Sequence, residues 1–123
     1  TGEYPMANKK ILVIDDDPTL LKMVQSFLES HGFAVTVAVD GEEGMEKLKT
    51  ELPDLIVLDV RMPRMNGYAF IFEMKKLGGA KVPIIVLTAK EGMAEIFKAE
   101  GVKEYITKPF KFESLLENIN KYV

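Results

Sequence analysis

Three uninterrupted apolar tetrads, Ile11-Leu12-Val13-Ile14, Leu55-Ile56-Val57-Leu58 and Ile84-Ile85-Val86-Leu87, constrain this chain more than any other feature. A strand with one wet face alternates apolar and polar residues, whereas an unbroken apolar run suits a parallel strand covered on both faces. Two further short runs, Phe33-Ala34-Val35-Thr36-Val37 and Glu104-Tyr105-Ile106-Thr107, complete a set of five. Helical patterns lie between and after them. Leu20, Val24, Phe27 and Leu28 repeat at helical spacing, with Asp17 as N-cap, Pro18 at the first helical position and Gly32 past the end. A second helix is predicted from near Asp40, burying Met45 and Leu48. A third runs from about Gly67 to Gly78-Gly79 and buries Ile71, Phe72 and Met74. A fourth spans Glu91 to Glu100 with Ile96 and Phe97 inward, and a last carries Phe112, Leu115, Leu116 and Ile119 on one stripe.

Five strands, each followed by a helix, predict a (βα)₅ α/β fold with right-handed crossovers around a doubly wound parallel five-stranded sheet. The order that suits five strands is the flavodoxin-like 2-1-3-4-5, whose switch point lies between strands 1 and 3. A ligand or reaction is then expected at the carboxyl ends of those strands. At 123 residues the chain is one domain's worth, able to bury roughly two-thirds of the surface it exposes unfolded. An apolar share of 47% excludes disorder, and the absence of cysteine removes disulfides, thiolate metal sites and thiol catalysis. The net charge of −3 gives no footprint for nucleic acid or anionic lipid, and no apolar run approaches the ~20 residues of a membrane-spanning helix. The expectation is a soluble, cytoplasmic domain over residues 9–123. Residues 1–8 show no periodicity and read as a disordered tail or a remnant of expression, with Met6 a candidate natural start.

The strand ends carry the chemistry. Strand 1 ends in Asp15-Asp16-Asp17, strand 3 in Asp59, strand 4 in Thr88-Ala89 and strand 5 in Thr107-Lys108-Pro109-Phe110. Clustered carboxylates raise one another's pKa unless a cation removes the repulsion, and Mg²⁺ prefers a few carboxylates together with waters and phosphate oxygens. An aspartate can attack phosphorus to form an aspartyl-phosphate, and the charge on the transferring group is stabilised by metal, ammonium and hydroxyl. Singly, each residue has a plainer reading: Asp17 a helix cap, Asp15 and Asp16 loop acids, Asp59 a turn cap, Thr88 a strand-end threonine, Lys108 a surface lysine. Their joint placement at four strand ends is the signal.

The set Ile14-Asp15-Asp16-Asp17-Pro18, Leu58-Asp59-Val60-Arg61-Met62-Pro63, Asn66-Gly67, Leu87-Thr88-Ala89 and Tyr105-Ile106-Thr107-Lys108-Pro109-Phe110 resembles the receiver domain of two-component response regulators, in order and from about Lys10 to Val123. The resemblance is to the single-domain, chemotaxis-regulator-like type. The resemblance implies that Asp59 is the phosphoacceptor. It also implies that Asp16 binds Mg²⁺ (or Mn²⁺) directly with Asp59 and the backbone carbonyl of Arg61, while Asp15 acts mainly through metal-bound water. Lys108 would hold a phosphoryl oxygen and Thr88 would swing in to bond another, with small Ala89 leaving room. Tyr105 would turn inward as Thr88 moves and carry the change to the face of the fourth helix, fifth strand and fifth helix, and the Lys108-Pro109 bond would be cis. The implied donor is a sensor histidine kinase or histidine phosphotransfer protein, and the implied recipient a target protein or output domain on that face, with the chain a monomer or a phosphorylation-dependent dimer.

Two departures stand out. Only 16 residues separate Thr88 from Tyr105, which is short for the family, and Gly92 falls early in the fourth helix. Arg61 and Lys90 place basic groups beside the phosphoryl site. Rival readings fare worse. Asp15-Asp16-Asp17-Pro18-Thr19 also fits the D-x-D-x-T element of haloacid-dehalogenase-like phosphatases, with Asp15 nucleophile and Asp17 general acid, but this leaves Asp59 and Thr88 unexplained. A flavin site would set three carboxylates against the cofactor phosphate. A receiver-like interaction module that never takes phosphate would not need the complete acid, hydroxyl and lysine set. His31, at the end of the first helix, suits the helix dipole rather than a role as internal phosphodonor. The ending Asn118-Ile119-Asn120-Lys121-Tyr122-Val123 finishes a helix without a linker and favours a stand-alone regulator over a receiver cut from a longer chain.

Overall fold

The structure, a computed structural model, describes residues 8–59, 67–77, 81–88 and 102–123. In chain order these form β1 (Lys10–Ile14), α1 (Pro18–Glu29), β2 (Ala34–Ala38), α2 (Gly41–Thr50), β3 (Leu55–Asp59), α3 (Gly67–Lys76), β4 (Ile84–Thr88), β5 (Val102–Thr107) and α4 (Phe112–Asn120). All four strand pairings are parallel and the order is β2-β1-β3-β4-β5, as the tetrads predict. The helix expected over Glu91–Glu100 and the Gly78-Gly79 stop lie outside the described residues.

The period of two in the strands splits the core into two layers. Leu12, Ile14, Ile56, Leu58, Ile84 and Val86 face α2 and α3, meeting Met45, Leu48, Phe70, Ile71 and Met74. Ile11, Val13, Leu55, Val57, Ile85 and Leu87 face α1 and α4, meeting Leu21, Val24, Leu28, Leu115 and Ile119. Truncating a fully buried member such as Leu28 to alanine costs about 2–5 kcal/mol. In β1, β3 and β4 nearly every side chain is buried, so these strands cannot slip without moving both layers. β5 absorbs an extra residue between Ile84↔Val102 and Ile85↔Glu104, after which the register runs evenly to Thr88↔Thr107.

Helix ends follow local chemistry. Asp17 caps α1 with Pro18 next to it, and the chain leaves that helix through Gly32 at φ +94°, a left-handed conformation that glycine adopts without steric cost. Asp40 caps α2 by accepting from the Glu43 N–H, while the Glu43 carboxylate reaches back to the Val39 N–H. Gly44 lets α2 approach β1: a Cβ there would stand 2.6 Å from Ile14 Cδ1 and 3.0 Å from Phe70 Cε1.

In α1 and α3 the buried stripe differs in detail from the predicted one. In α1 the fully buried set is Leu21, Val24 and Leu28, with Leu20 and Phe27 half-buried at its flank. Adjacent leucines at 20 and 21 let the stripe rotate by one residue, and Leu20 instead borders Pro109, Phe110 and Phe112. In α3 the inward set is Phe70, Ile71 and Met74, while Phe72 is 61% exposed. Its ring is covered by Lys76, whose Nζ lies 4.6 Å from the centroid one turn later.

Candidate functional site

β1 does not stop cleanly at Ile14. The Asp15 N–H donates to the Ala38 carbonyl at 3.1 Å, so Asp15 is held at the end of the sheet and its carboxylate is buried there. Asp16 turns outward to solvent and Asp17 begins α1. Asp59 is the last residue of β3, Thr88 the last of β4, and Lys108 follows the last of β5. Asp59 and Thr88 are buried. Asp15, Asp59, Thr88 and Lys108, one from each of the four strand ends, are thus found at one edge of the sheet.

Carboxylate oxygens of Asp15, Asp16 and Asp59 all lie within 4.8 Å of one another. At that separation each ionised pair repels by about 3 kcal/mol at an effective dielectric of about 20. Lys108 supplies part of the compensation, with Nζ 2.8 Å from Asp15 Oδ2 and 3.6 Å from Asp59 Oδ2. Burial of the ammonium pulls its pKa down, but the hydrogen bond and charge of Asp15 and the charge of Asp59 outweigh this and hold it above the ordinary lysine value. Among the described residues, one ammonium stands against three carboxylates, which leaves a surplus of negative charge there. The donors are all hard oxygens, and Asp16 opens to water, a set that fits Mg²⁺, which keeps several of its own waters.

Supporting contacts set the geometry. The other Asp15 oxygen, Oδ1, accepts from the Asp17 N–H at 3.0 Å. Asp17 Oδ1 in turn accepts from the N–H groups of Thr19 and Leu20 at 3.0 and 3.3 Å. This cap directs the Asp17 carboxylate to the helix, where the phosphatase-like reading would need it as an acid. The Lys108 N–H donates to the Thr88 carbonyl at 2.7 Å, joining the ends of β4 and β5, and the Lys108-Pro109 bond is cis. Tyr105 pairs with Val86 and is half-buried against the α2–α3 layer of the core. His31 lies at the opposite end of α1 from Asp17, with Nδ1 2.9 Å from the Phe27 carbonyl and its ring against that of Phe27. Arg61, Ala89 and Lys90 lie outside the described residues.

Sequence reasoning placed these groups together but missed two links: Asp15, rather than Asp59, is the nearer partner of Lys108, and the Asp17 N–H fixes Asp15. The second had a readable signal, because an aspartate often accepts a hydrogen bond from the N–H two residues on. The first had none, since the pair spans 93 residues.

Comparisons with known proteins agree with this geometry. The response regulator receiver domain family matches residues 11–120. The alkaline phosphatase synthesis transcriptional regulatory protein PhoP of Bacillus subtilis is 46% identical over 107 residues, covering 84% of this chain and 43% of that protein. The chain therefore spans less than half the length of that relative. The chemotaxis protein CheY4 of Vibrio cholerae superposes with a TM-score of 0.87 at 31% identity, covering 95% of this chain and 100% of the other. Response regulator TrrA of Thermotoga maritima, solved in complex with Mg²⁺-BeF, superposes with a TM-score of 0.83 at 31% identity, covering 94% and 99%. No helix among the described residues is long and apolar enough to cross a membrane. With its acidic pocket at the switch point of a 2-1-3-4-5 sheet and a family match over nearly all of its length, this chain belongs to the response regulator receiver domains of two-component signalling.

Proposed function

We propose that Asp59 is the phosphoacceptor of this receiver and that Asp15, Asp16 and the Arg61 carbonyl form its Mg²⁺ site. The observation that carries the reading is the convergence of three carboxylates within 4.8 Å, with the Lys108 ammonium set between two of them. A carboxylate oxygen of Asp59 attacks the phosphorus of a donor phosphohistidine; the new P–O bond forms as the P–N bond breaks, and the departing imidazole takes the bonding pair and a proton. Bound Mg²⁺ supplies charge neutralisation to the transferring group. Asp16, exposed, is suited to direct ligation. Asp15, with each oxygen already accepting an N–H hydrogen bond, is suited to holding a metal-bound water.

The aspartyl-phosphate adds about two negative charges and three acceptor oxygens. Lys108 then transfers its strongest contact from Asp15 to a phosphoryl oxygen, and the Thr88 hydroxyl bonds a second, beside Ala89. Tyr105, two residues before Thr107 on the strand paired to β4, follows Thr88 and remodels the face of β5, α4 and the helix expected over Glu91–Glu100. That face binds a target protein or output domain in the cytoplasm, as a monomer or a phosphorylation-dependent dimer, and residues 9–123 act as the functional unit. Water later cleaves the acyl phosphate, so the domain catalyses only its own phosphorylation and dephosphorylation. Mn²⁺, with the same charge and ligand preference, substitutes for Mg²⁺. The test is intact-protein mass after incubation with acetyl phosphate. One phosphoryl group is expected with Mg²⁺, and none with chelator or in Asp59→Asn; labelling that survives in Asp59→Asn would contradict the assignment.

A further inference from the structure

We infer that Asp17 is a positioning residue for the metal site, its carboxylate locking the turn whose backbone N–H holds Asp15. The inference rests on the reading of the acidic cluster as a Mg²⁺ site. Asp17 is not among the carboxylates that converge there. It is instead the hinge of two nested turns. Its N–H donates to Asp15 Oδ1 at 3.0 Å, and its own Oδ1 accepts from Thr19 N–H at 3.0 Å and Leu20 N–H at 3.3 Å. Its carbonyl accepts the first helical bond, from the Leu21 N–H at 3.0 Å. The carboxylate and the carbonyl of Asp17 are therefore both held by bonds on the helix side, which fixes the residue whose N–H reaches Asp15, and Leu21, Val24 and Leu28 anchor that helix in the core.

The consequence is for orientation. Asp15 is buried, and its carboxylate is pinned at both oxygens, by the Asp17 N–H on one side and Lys108 Nζ on the other. Lys108 is the partner that must move when a phosphoryl group arrives. The Asp17 N–H is the one that stays, and so keeps Asp15 aimed at the metal through the cycle. Partners that orient a ligand in this way typically change metal affinity by tenfold or more when lost. Here the loss is indirect, through a cap whose removal loosens the first turn, and the effect is smaller.

The experiment is a Mg²⁺ titration, by calorimetry, of wild type, Asp17→Ala and Asp17→Asn well below their unfolding temperatures, with amide hydrogen exchange at residue 17 as a second readout. Asparagine keeps the capping oxygen and removes the charge; alanine removes both. Asp17→Ala is expected to bind Mg²⁺ roughly fivefold more weakly, with faster exchange of its own amide. Asp17→Asn is expected to stay within about twofold of wild type on both readouts. Equal weakening in the two variants would make Asp17 a distant charge. Unchanged affinity in Asp17→Ala, with only a lower melting temperature, would make it a helix cap alone. Either result overturns the inference. Wild type that takes up no Mg²⁺ would instead remove the metal site on which it rests.

Discussion

β1 has a lysine–carboxylate cluster at each end, and the two behave differently. At its start, the Lys10 ammonium pairs with Glu51, and the Lys10 N–H donates to Asp54 Oδ2 at 2.7 Å. Both side chains of the ion pair stand largely in water, 47% and 59% exposed. Past its other end, Lys108 pairs with Asp15 and Asp59, whose side chains are only 1% and 6% exposed. Water and salt screen the first cluster, so its members are replaceable. In the second, desolvated charges must be answered by one another, and among the described residues a surplus of negative charge remains. Chemistry follows burial and surplus, not the mere presence of opposite charges.

The comparison breaks most visibly in metal binding. Asp16→Ala is expected to weaken Mg²⁺ binding tenfold or more (about 1.4 kcal/mol per tenfold), while Glu51→Ala leaves the titration unchanged. Equal sensitivity at both ends would dissolve the distinction. Lys108 should matter next. Measured by denaturant unfolding in chelator, Lys108→Ala is expected to cost about 1–2 kcal/mol, because two buried carboxylates lose their cation; the figure is held down by the solvent that still reaches Nζ. Lys10→Ala is expected to sit within the scatter of ordinary surface substitutions. High salt sharpens the contrast, erasing any Lys10 effect first. Under beryllofluoride and Mg²⁺, Lys108→Ala is also expected to lose the NMR shift changes at Thr88 and Tyr105 while retaining much of its metal affinity. Wild-type shift changes would show that the ammonium is not part of the switch.

The smallest expected effect is in pH. Both lysines have pKa values above the ordinary 10.5, Lys10 through its hydrogen bond to Glu51 and Lys108 because Asp15 and Asp59 outweigh burial. A raised folded-state value means that the stabilisation is complete below the unfolded pKa and is lost as pH rises through the folded one. The stability gap between wild type and Lys108→Ala is thus expected to hold from neutral pH to about 10.5 and to close above it. Tyr122, raised by its 2.6 Å hydrogen bond to Glu104, follows the same sign from 10.0 upward. A gap that closed near neutral pH would point to another titrating group.

The same contrast explains what could be read from the residues alone. The tetrads of β1, β3 and β4 are legible because both faces of each strand must be covered, and that requirement is local. Asp59 and Thr88 inherit their positions from those strands. Phe72 is where the pattern misleads, because apolar neighbours at 70–72 let a helical stripe turn by a residue, and only packing against the core side chains of the sheet, such as Ile14 and Leu58, chooses. Lys108 was legible as a strand-end group, but its closer approach to Asp15 depends on how β5 and β1 sit across β3 and β4. No local pattern encodes that.

The most direct test of the account is to locate the phosphoryl group chemically. The protein is phosphorylated with acetyl phosphate and Mg²⁺, reduced with borohydride, which converts an aspartyl-phosphate to homoserine, and mapped by peptide mass spectrometry. The account predicts homoserine at position 59 alone, and none when the metal is chelated. Homoserine at 15 or 16, or undiminished labelling of Asp59 without a divalent ion, would contradict it.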